Sequence, residues 1–255
     1  TTALLIAVIL APIAYVLLRT APARRDLVYW DEFDTVLAFI LKLKEGSSPG
    51  TFLQELFALN NEHRMVTSRL IYAATYWLTG TVNFTAFDWI GIAWIFVTCG
   101  LLVAAVGSGP RRLRLGVLLA LLLFQLEHYE NYLWSGASID HFQVVMLVAG
   151  AVVAVARGTQ GGVLAGSVLA TLATYTLAHG MMAWPIGALF LWQRANRRGL
   201  MIWCGIGALA VGAFLTGFKV NSAQSFAAFT FEGGIKVCAY WLSILGAVPA
   251  LGRWL

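Results

Sequence analysis

Apolar residues in this chain come in long unbroken runs, not in alternation with polar ones. Runs of spanning length fall near 2–18, 86–107, 115–133, 140–156, 162–178, 181–193, 200–217 and 237–252. A hydrocarbon core of roughly 30 Å asks for about 20 apolar residues per helical span, and continuous runs argue against the alternating strands of a membrane barrel. The run at 181–193 is short. The stretch "RMVTSRLIYAATYWLTG", 64–80, falls short of a span and is ambiguous. Ahead of it, "DEFDTVLAFILKLKEG" and "TFLQELFALNNEHR" place apolar residues at helical spacing on either side of the turn signal "GSSPG". They predict two helices lying in the membrane interface. Residues 66–80 predict a third, with Tyr72, Tyr76 and Trp77 at headgroup level.

Charge settles the ambiguous stretch, because basic residues mark cytoplasmic loops. If 64–80 does not cross, the loops at 108–114, 157–161, 194–199 and 253–255 share one side. They carry Arg111, Arg112, Arg114, Arg157, Arg194, Arg197, Arg198 and Arg253 without a single acid. All 12 acids and all 4 histidines then fall on the other side. A crossing at 64–80 destroys this segregation. The expected fold is therefore all-α and integral to the membrane, one transmembrane domain over 1–255 with about eight spans and a long outer segment, 20–85, of interfacial helices.

Composition agrees, at 60% hydrophobic and 11% charged residues, far from the soluble norm. The net charge of +5 comes largely from the cytoplasmic arginines and does not call for a nucleic acid partner. Cys99, Cys204 and Cys238 show no CxxC or zinc-site spacing. The first run has no basic residue before it and no small-residue cleavage site after it, which predicts a retained span. An opening without Met and a stop at "LGRWL" lead us to expect a piece of a longer protein.

Three acids interrupt the apolar pattern in "LVYWDEFDTVLAF". Asp31 and Asp34 share a helix face, with Glu32 about a quarter turn away. One reading is a general base at the membrane surface, oriented by its neighbour. The other is a helix start, with Asp31 as N-cap and Asp34 in the first turn. "NNEHR" brings His63 and Arg64 to a turn between helices. "LEHYENYLWSGASIDH" sets Glu127, His128, Glu130, Asn131, Trp134, Asp140 and His141 at the outer ends of two spans, with Glu127 and Glu130 continuing the helix that begins at Leu115. Arg64, Arg69, Lys219 and Lys236 are cations suited to a lipid phosphate, or to phospholipid headgroups. His179, beside Gly180, reads as a helix cap or a site residue. A divalent metal held by Asp31, His63, Glu130 and His141 can be imagined, but no local ligand spacing supports it, so no cofactor is expected. There is no Walker loop, no GxGxxG after a strand and no GxSxG elbow between a strand and a helix, "GSSPG" being the turn signal between two helical stretches.

A first span, an acidic "DE" motif just beyond it, interfacial helices, an "EHR" turn and a second span returning to a basic loop together resemble the GT-C superfamily of membrane glycosyltransferases. The likeness is to bacterial relatives of the protein O-mannosyltransferase and aminoarabinose-transferase groups. "YWDEF" is similar to their "fDE" pattern, and "ENYLW" to an "ENLLWG" stretch of related membrane proteins. His63 stands where those families often carry "HPP", but Arg64 and Met65 follow it here.

The resemblance implies a GT-C-like N-terminal module in the bacterial inner membrane with its active site facing the periplasm. It implies transfer of a sugar from a polyprenyl-phosphate carrier to a hydroxyl acceptor, with Asp31 as base and Glu32 and Asp34 beside it. Binding of membrane lipid and substrate falls on His63, Arg64, Arg69, Glu130, Asn131, Trp134, His179, Lys219 and Lys236. A phosphate leaving group needs no general acid, so one base and a set of cations suffice. A transporter or a flippase for lipid-linked sugars is the competing reading. It calls for charges deep in the spans or for broken helices in paired positions. A non-catalytic membrane scaffold has no use for so many outer acids.

Overall fold

A computed structural model describes residues 2–46, 48–218, 230–236 and 239. Among the described residues all regular structure is helical. Helix α1 (Thr2–Thr20) is followed by a short 3-10 turn, Ala21–Ala23, and an extended stretch. A π-type turn, Phe33–Leu37, runs into α2 (Ala38–Lys44), and α3 (Pro49–Leu56) and α4 (Val66–Thr79) follow. Helices therefore form in the segment between the first two runs, where the spacing predicts them. Ser48 caps α3 by accepting from Thr51 N at 3.2 Å, as a serine ahead of "PGT" should.

The remaining helices are α5 (Phe84–Ala105), α6 (Pro110–Leu123), α7 (Tyr129–Leu133), α8 (Ser135–Ala156), α9 (Gln160–Thr174), α10 (Ala183–Gln193) and α11 (Arg197–Leu215). Among the described residues four stretches are long and apolar enough to cross a membrane: Thr2–Ala23, Phe84–Ala105, Ser135–Ala156 and Arg197–Leu215. Helices α6, α9 and α10 are shorter. At 1.5 Å per residue, the 11 residues of α10 reach only about 16 Å.

The run expected at 115–133 is corrected here. It breaks at Phe124, whose φ and ψ of −101° and 77° are not helical, so Glu127 and Glu130 do not extend that helix. Glu127 lies in a 3-10 turn and Glu130 in the separate one-turn helix α7. The Tyr132 hydroxyl donates to the Leu123 carbonyl at 2.5 Å and closes the break. The span expected at 237–252 lies outside the described residues.

Packing follows the small residues. A Cβ at Gly91 on α5 would come within 2.2 Å of Ser138 Oγ and 2.4 Å of the Ser138 carbonyl carbon on α8, so these two helices touch backbone to backbone. Gly187 on α10 leaves the same kind of room for the Trp203 ring of α11. One buried cluster joins Val36, Phe39, Tyr72, Phe87 and Ile139 across α2, α4, α5 and α8, and another joins Val155, Leu191, Trp184 and Trp203.

The turns after α8 and α10 meet, since Asn196 Nδ2 donates to the Gly158 carbonyl at 3.4 Å and Arg194 lies against Gly158. The arginine-bearing turns at 157–159 and 194–196 thus share one end of the bundle. Contacts divide the chain into two compact units, Thr1–Thr216 and Gly217–Leu255. Within the second, Glu232 and Lys236 form an exposed ion pair of 2.7 Å one helical turn apart.

Candidate functional site

The segment between α1 and α4 is fastened to the ends of other helices by charged side chains, each with the sign that the helix end attracts. Asp26 accepts from the amide of Phe84, the first residue of α5, at 2.7 Å. Glu32 sits at the N-terminus of α8. It accepts from Gly136 N at 2.8 Å, from the Ser135 hydroxyl and from Tyr29 N at 2.7 Å. Its side chain is buried at 1% exposure. Burial pushes the Glu32 carboxyl up, while the Ser135, Gly136 and Tyr29 hydrogen bonds pull it down.

The two arginines expected to hold a phosphate do the converse. Arg64 Nε and Nη2 donate to the Phe214 carbonyl at 2.9 and 2.8 Å, and Nη2 also reaches the Thr216 carbonyl, which closes the C-terminus of α11. Its Nη1 donates to the Phe57 carbonyl at 2.6 Å. Arg69 is buried, and its Nη1 sits among the carbonyls of Glu55, Leu56, Ala58 and Arg64 past the end of α3. Both guanidinium groups serve helix and turn carbonyls.

Asp31 is different. Trp30 ahead of it adopts a left-handed φ of 49°, uncommon for a residue with a bulky side chain, and this sets the turn on which Asp31 and Glu32 diverge. Glu32 goes inward and Asp31 stays half-buried. The carbonyl of Asp31 accepts from Thr35 N at 2.8 Å and from Asp34 N at 3.0 Å, but its carboxylate caps no neighbouring residue. Burial pushes the Asp31 carboxyl up, and the charge of Asp34 adds to the effect against a hydrogen bond from its own backbone. Asp34 is exposed on the next turn.

Beneath them, Asp140 on α8 accepts from the Ser68 hydroxyl. Among the described residues the buried Tyr72 hydroxyl has no hydrogen-bond partner, and burial together with the charges of Asp140, Glu32 and Asp31 holds it well above the ordinary phenol range. Nearby, Asp88 pairs with Arg24 at 4.0 Å, and Arg24 lies 4.1 Å over the Trp89 ring.

His63, on the turn where Asn60 and His63 exchange backbone hydrogen bonds of 2.7 and 2.9 Å, accepts from Ala178 N through Nδ1 at 3.0 Å. An accepting Nδ1 needs the neutral ring, and burial lowers the His63 pKa against the pull of Glu62. His179 stands edge-on to it at 6.4 Å between centroids. Its own pKa is lowered by burial and then by His63. His141 and Asn131 share a hydrogen bond of 2.9 Å between Nδ1 and Oδ1. Among the described residues no three His, Cys, Asp or Glu side chains are placed to hold a metal ion, so the set of Asp31, His63, Glu130 and His141 is not assembled as one.

The aromatic residues converge more closely than their spacing foretold. Trp30 and Trp134 stack with centroids 5.8 Å apart and planes 9° from parallel, and Tyr29 stands edge-on to both. A cavity of 210 Å³ beside them is lined by Tyr29, Tyr129, Glu130, Leu133 and Trp134. Another, of 170 Å³, takes His128, Asn131 and His141 at its polar part and Ile95, Leu123, Phe142 and Val145 elsewhere. Lys236 lies on the second unit, and Lys219 outside the described residues.

Sequence reasoning missed Asp26, Ser135 and Gly136 as partners of helix ends. The one available signal was "WSG" ahead of an apolar run, a serine near a helix start.

Comparison with protein families, with curated proteins and with solved structures finds no match. The fold itself defines the class at a coarser level: a helical protein with, among the described residues, four helices long and apolar enough to cross a membrane.

Proposed function

We propose that this chain is the membrane module of a glycosyltransferase that moves a sugar from a polyprenyl-phosphate carrier to a hydroxyl acceptor. The reaction takes place at the outer, periplasmic face of a bacterial inner membrane, with Asp31 as general base. The observation that carries the reading is the isolation of Asp31. Glu32, Asp140 and Asp88 are each tied to a partner on another segment, whereas the half-buried Asp31 carboxylate is bonded only by its own backbone. Partial burial with acids around it raises its basicity, as a base for a hydroxyl requires.

In this reading α6, α9 and α10, the last extended by the 3-10 turn Ala178–Met182 ahead of it, complete the crossings, the arginine turns face the cytoplasm and residues 237–252 supply the eighth span. Arg64 and Arg69 are structural, so the cation that meets the departing phosphate is a different one. A transporter reading gains nothing from Asp88 or Asp140, because both lie within the first two turns of their helices and each is already partnered.

Asp31→Asn keeps the shape and removes the proton acceptor. It should fold normally and lose about 10²–10⁴ in transfer rate from a polyprenyl-phosphate sugar. Because the base works deprotonated and its pKa is raised, the acid limb of the wild-type rate profile should lie above the ordinary aspartate range near 3.9. Near-normal transfer by the variant would move the role to Asp34.

A further inference from the structure

The 210 Å³ cavity beside α7 has walls of one kind and a charge of one sign. Tyr29 and Trp134 meet at 77° with centroids 5.7 Å apart, so two rings form a corner. Trp30, which does not line the cavity, stacks on Trp134 and braces it. The Trp134 Nε1 atom is buried without a hydrogen-bond partner, which leaves ring carbon, not an N–H donor, to the cavity. Tyr129 supplies a third aromatic residue and Leu133 an aliphatic one.

The polar wall is Glu130, which accepts from the Tyr129 hydroxyl at 3.3 Å and whose charge raises the Tyr129 phenol. Among the described residues no lysine or arginine lines the cavity. Aromatic faces carry negative quadrupole charge and attract organic cations within about 6 Å. A phosphate would be repelled by Glu130. A primary ammonium would bring three strongly hydrated N–H donors to walls that are mostly carbon, whereas a methylated ammonium has no N–H to satisfy.

The position of the cavity points to a lipid. Trp134 immediately precedes the apolar helix Ser135–Ala156, and Tyr29, Trp30 and Tyr129 are 56%, 73% and 53% exposed around it. Such aromatic residues sit at headgroup level where a helix enters the bilayer. We propose that this cavity binds the quaternary ammonium of a phosphocholine lipid headgroup, with Tyr29, Tyr129 and Trp134 as the cage and Glu130 as its counter-charge. The lipid's own phosphate then points away from Glu130 toward water. This holds whether or not the chain transfers sugar.

Native mass spectrometry of the intact chain in maltoside, offered equal amounts of phosphatidylcholine, phosphatidylethanolamine and phosphatidylglycerol, tests the proposal. Phosphatidylcholine adducts should exceed each of the others at least about fivefold, as loss of a cation–π cage implies. The excess should fall in Trp134→Leu and in Glu130→Gln, and free choline should displace the lipid. Glu130 is exposed, so its variant folds even if the tryptophan variant does not. Equal adducts, a preference for either other lipid, persistence of the excess in Glu130→Gln, or indifference to choline would each overturn it.

Discussion

Glu32 and Gly136, 104 positions apart, are joined by a hydrogen bond of 2.8 Å from the Gly136 amide to the Glu32 carboxylate. With Ser135 and Tyr29 it makes Glu32 an N-terminal cap of α8 supplied from another segment. A buried carboxylate with three donors cannot be removed without orphaning them. Glu32→Ala should lower stability by about 2 kcal/mol or more, read as a drop in thermal midpoint in detergent. Glu32→Gln, which keeps an acceptor oxygen, should lose less. Equal midpoints for Glu32→Ala and the wild type would contradict the cap.

Arg64 holds the other pole of the same arrangement. Its fork spans the Phe214 and Thr216 carbonyls, a geometry that a single ammonium cannot reproduce. Arg64→Lys should therefore destabilise the chain nearly as much as Arg64→Ala, by about 1.5–3 kcal/mol. Amide exchange should rise first in the last turn of α11. Full recovery with lysine would indicate that charge alone matters there.

Stability should fall on acidification because of His63. Its folded pKa is lowered, so the unfolded chain takes up protons first. The stability it contributes is present above the unfolded value of about 6.5 and is lost as pH falls through the folded one. His179 acts in the same direction. His63→Gln can still accept from Ala178 N without titrating. Thermal midpoints measured between pH 7.5 and 5 should decline less steeply in that variant, and an unchanged slope would place the effect elsewhere.

Gly91 decides how closely α5 approaches α8. Gly91→Ala forces a methyl against Ser138 Oγ and the Ser138 backbone, and overpacking of this kind costs about 1–3 kcal/mol. Gly100, on the same helix, faces open space. Gly100→Ala should be neutral or slightly stabilising. A comparison of the two midpoints checks the contact without reference to any activity.

Legible in the residues alone were the helices, the turn at "GSSPG" and the separation, along the chain, of acids from the arginine-rich loops. Each of these follows from local apolar length, local turn chemistry or net charge per loop. It also pointed to Asp31, since three acids in an apolar stretch need a reason. It did not reveal that Glu32, Asp26, Arg64 and Arg69 are committed to backbone groups. A cap supplied from a distant segment leaves no periodic trace, and an arginine bound to carbonyls has the same spelling as one bound to phosphate. The break at Phe124 escaped notice for a related reason: the apolar run continues through it, and only Tyr132 folding back onto Leu123 shows that the helix has ended. The corner between Tyr29 and Trp134 was likewise decided by tertiary structure, because the left-handed turn at Trp30 and the approach of α7 bring together rings that lie 105 positions apart.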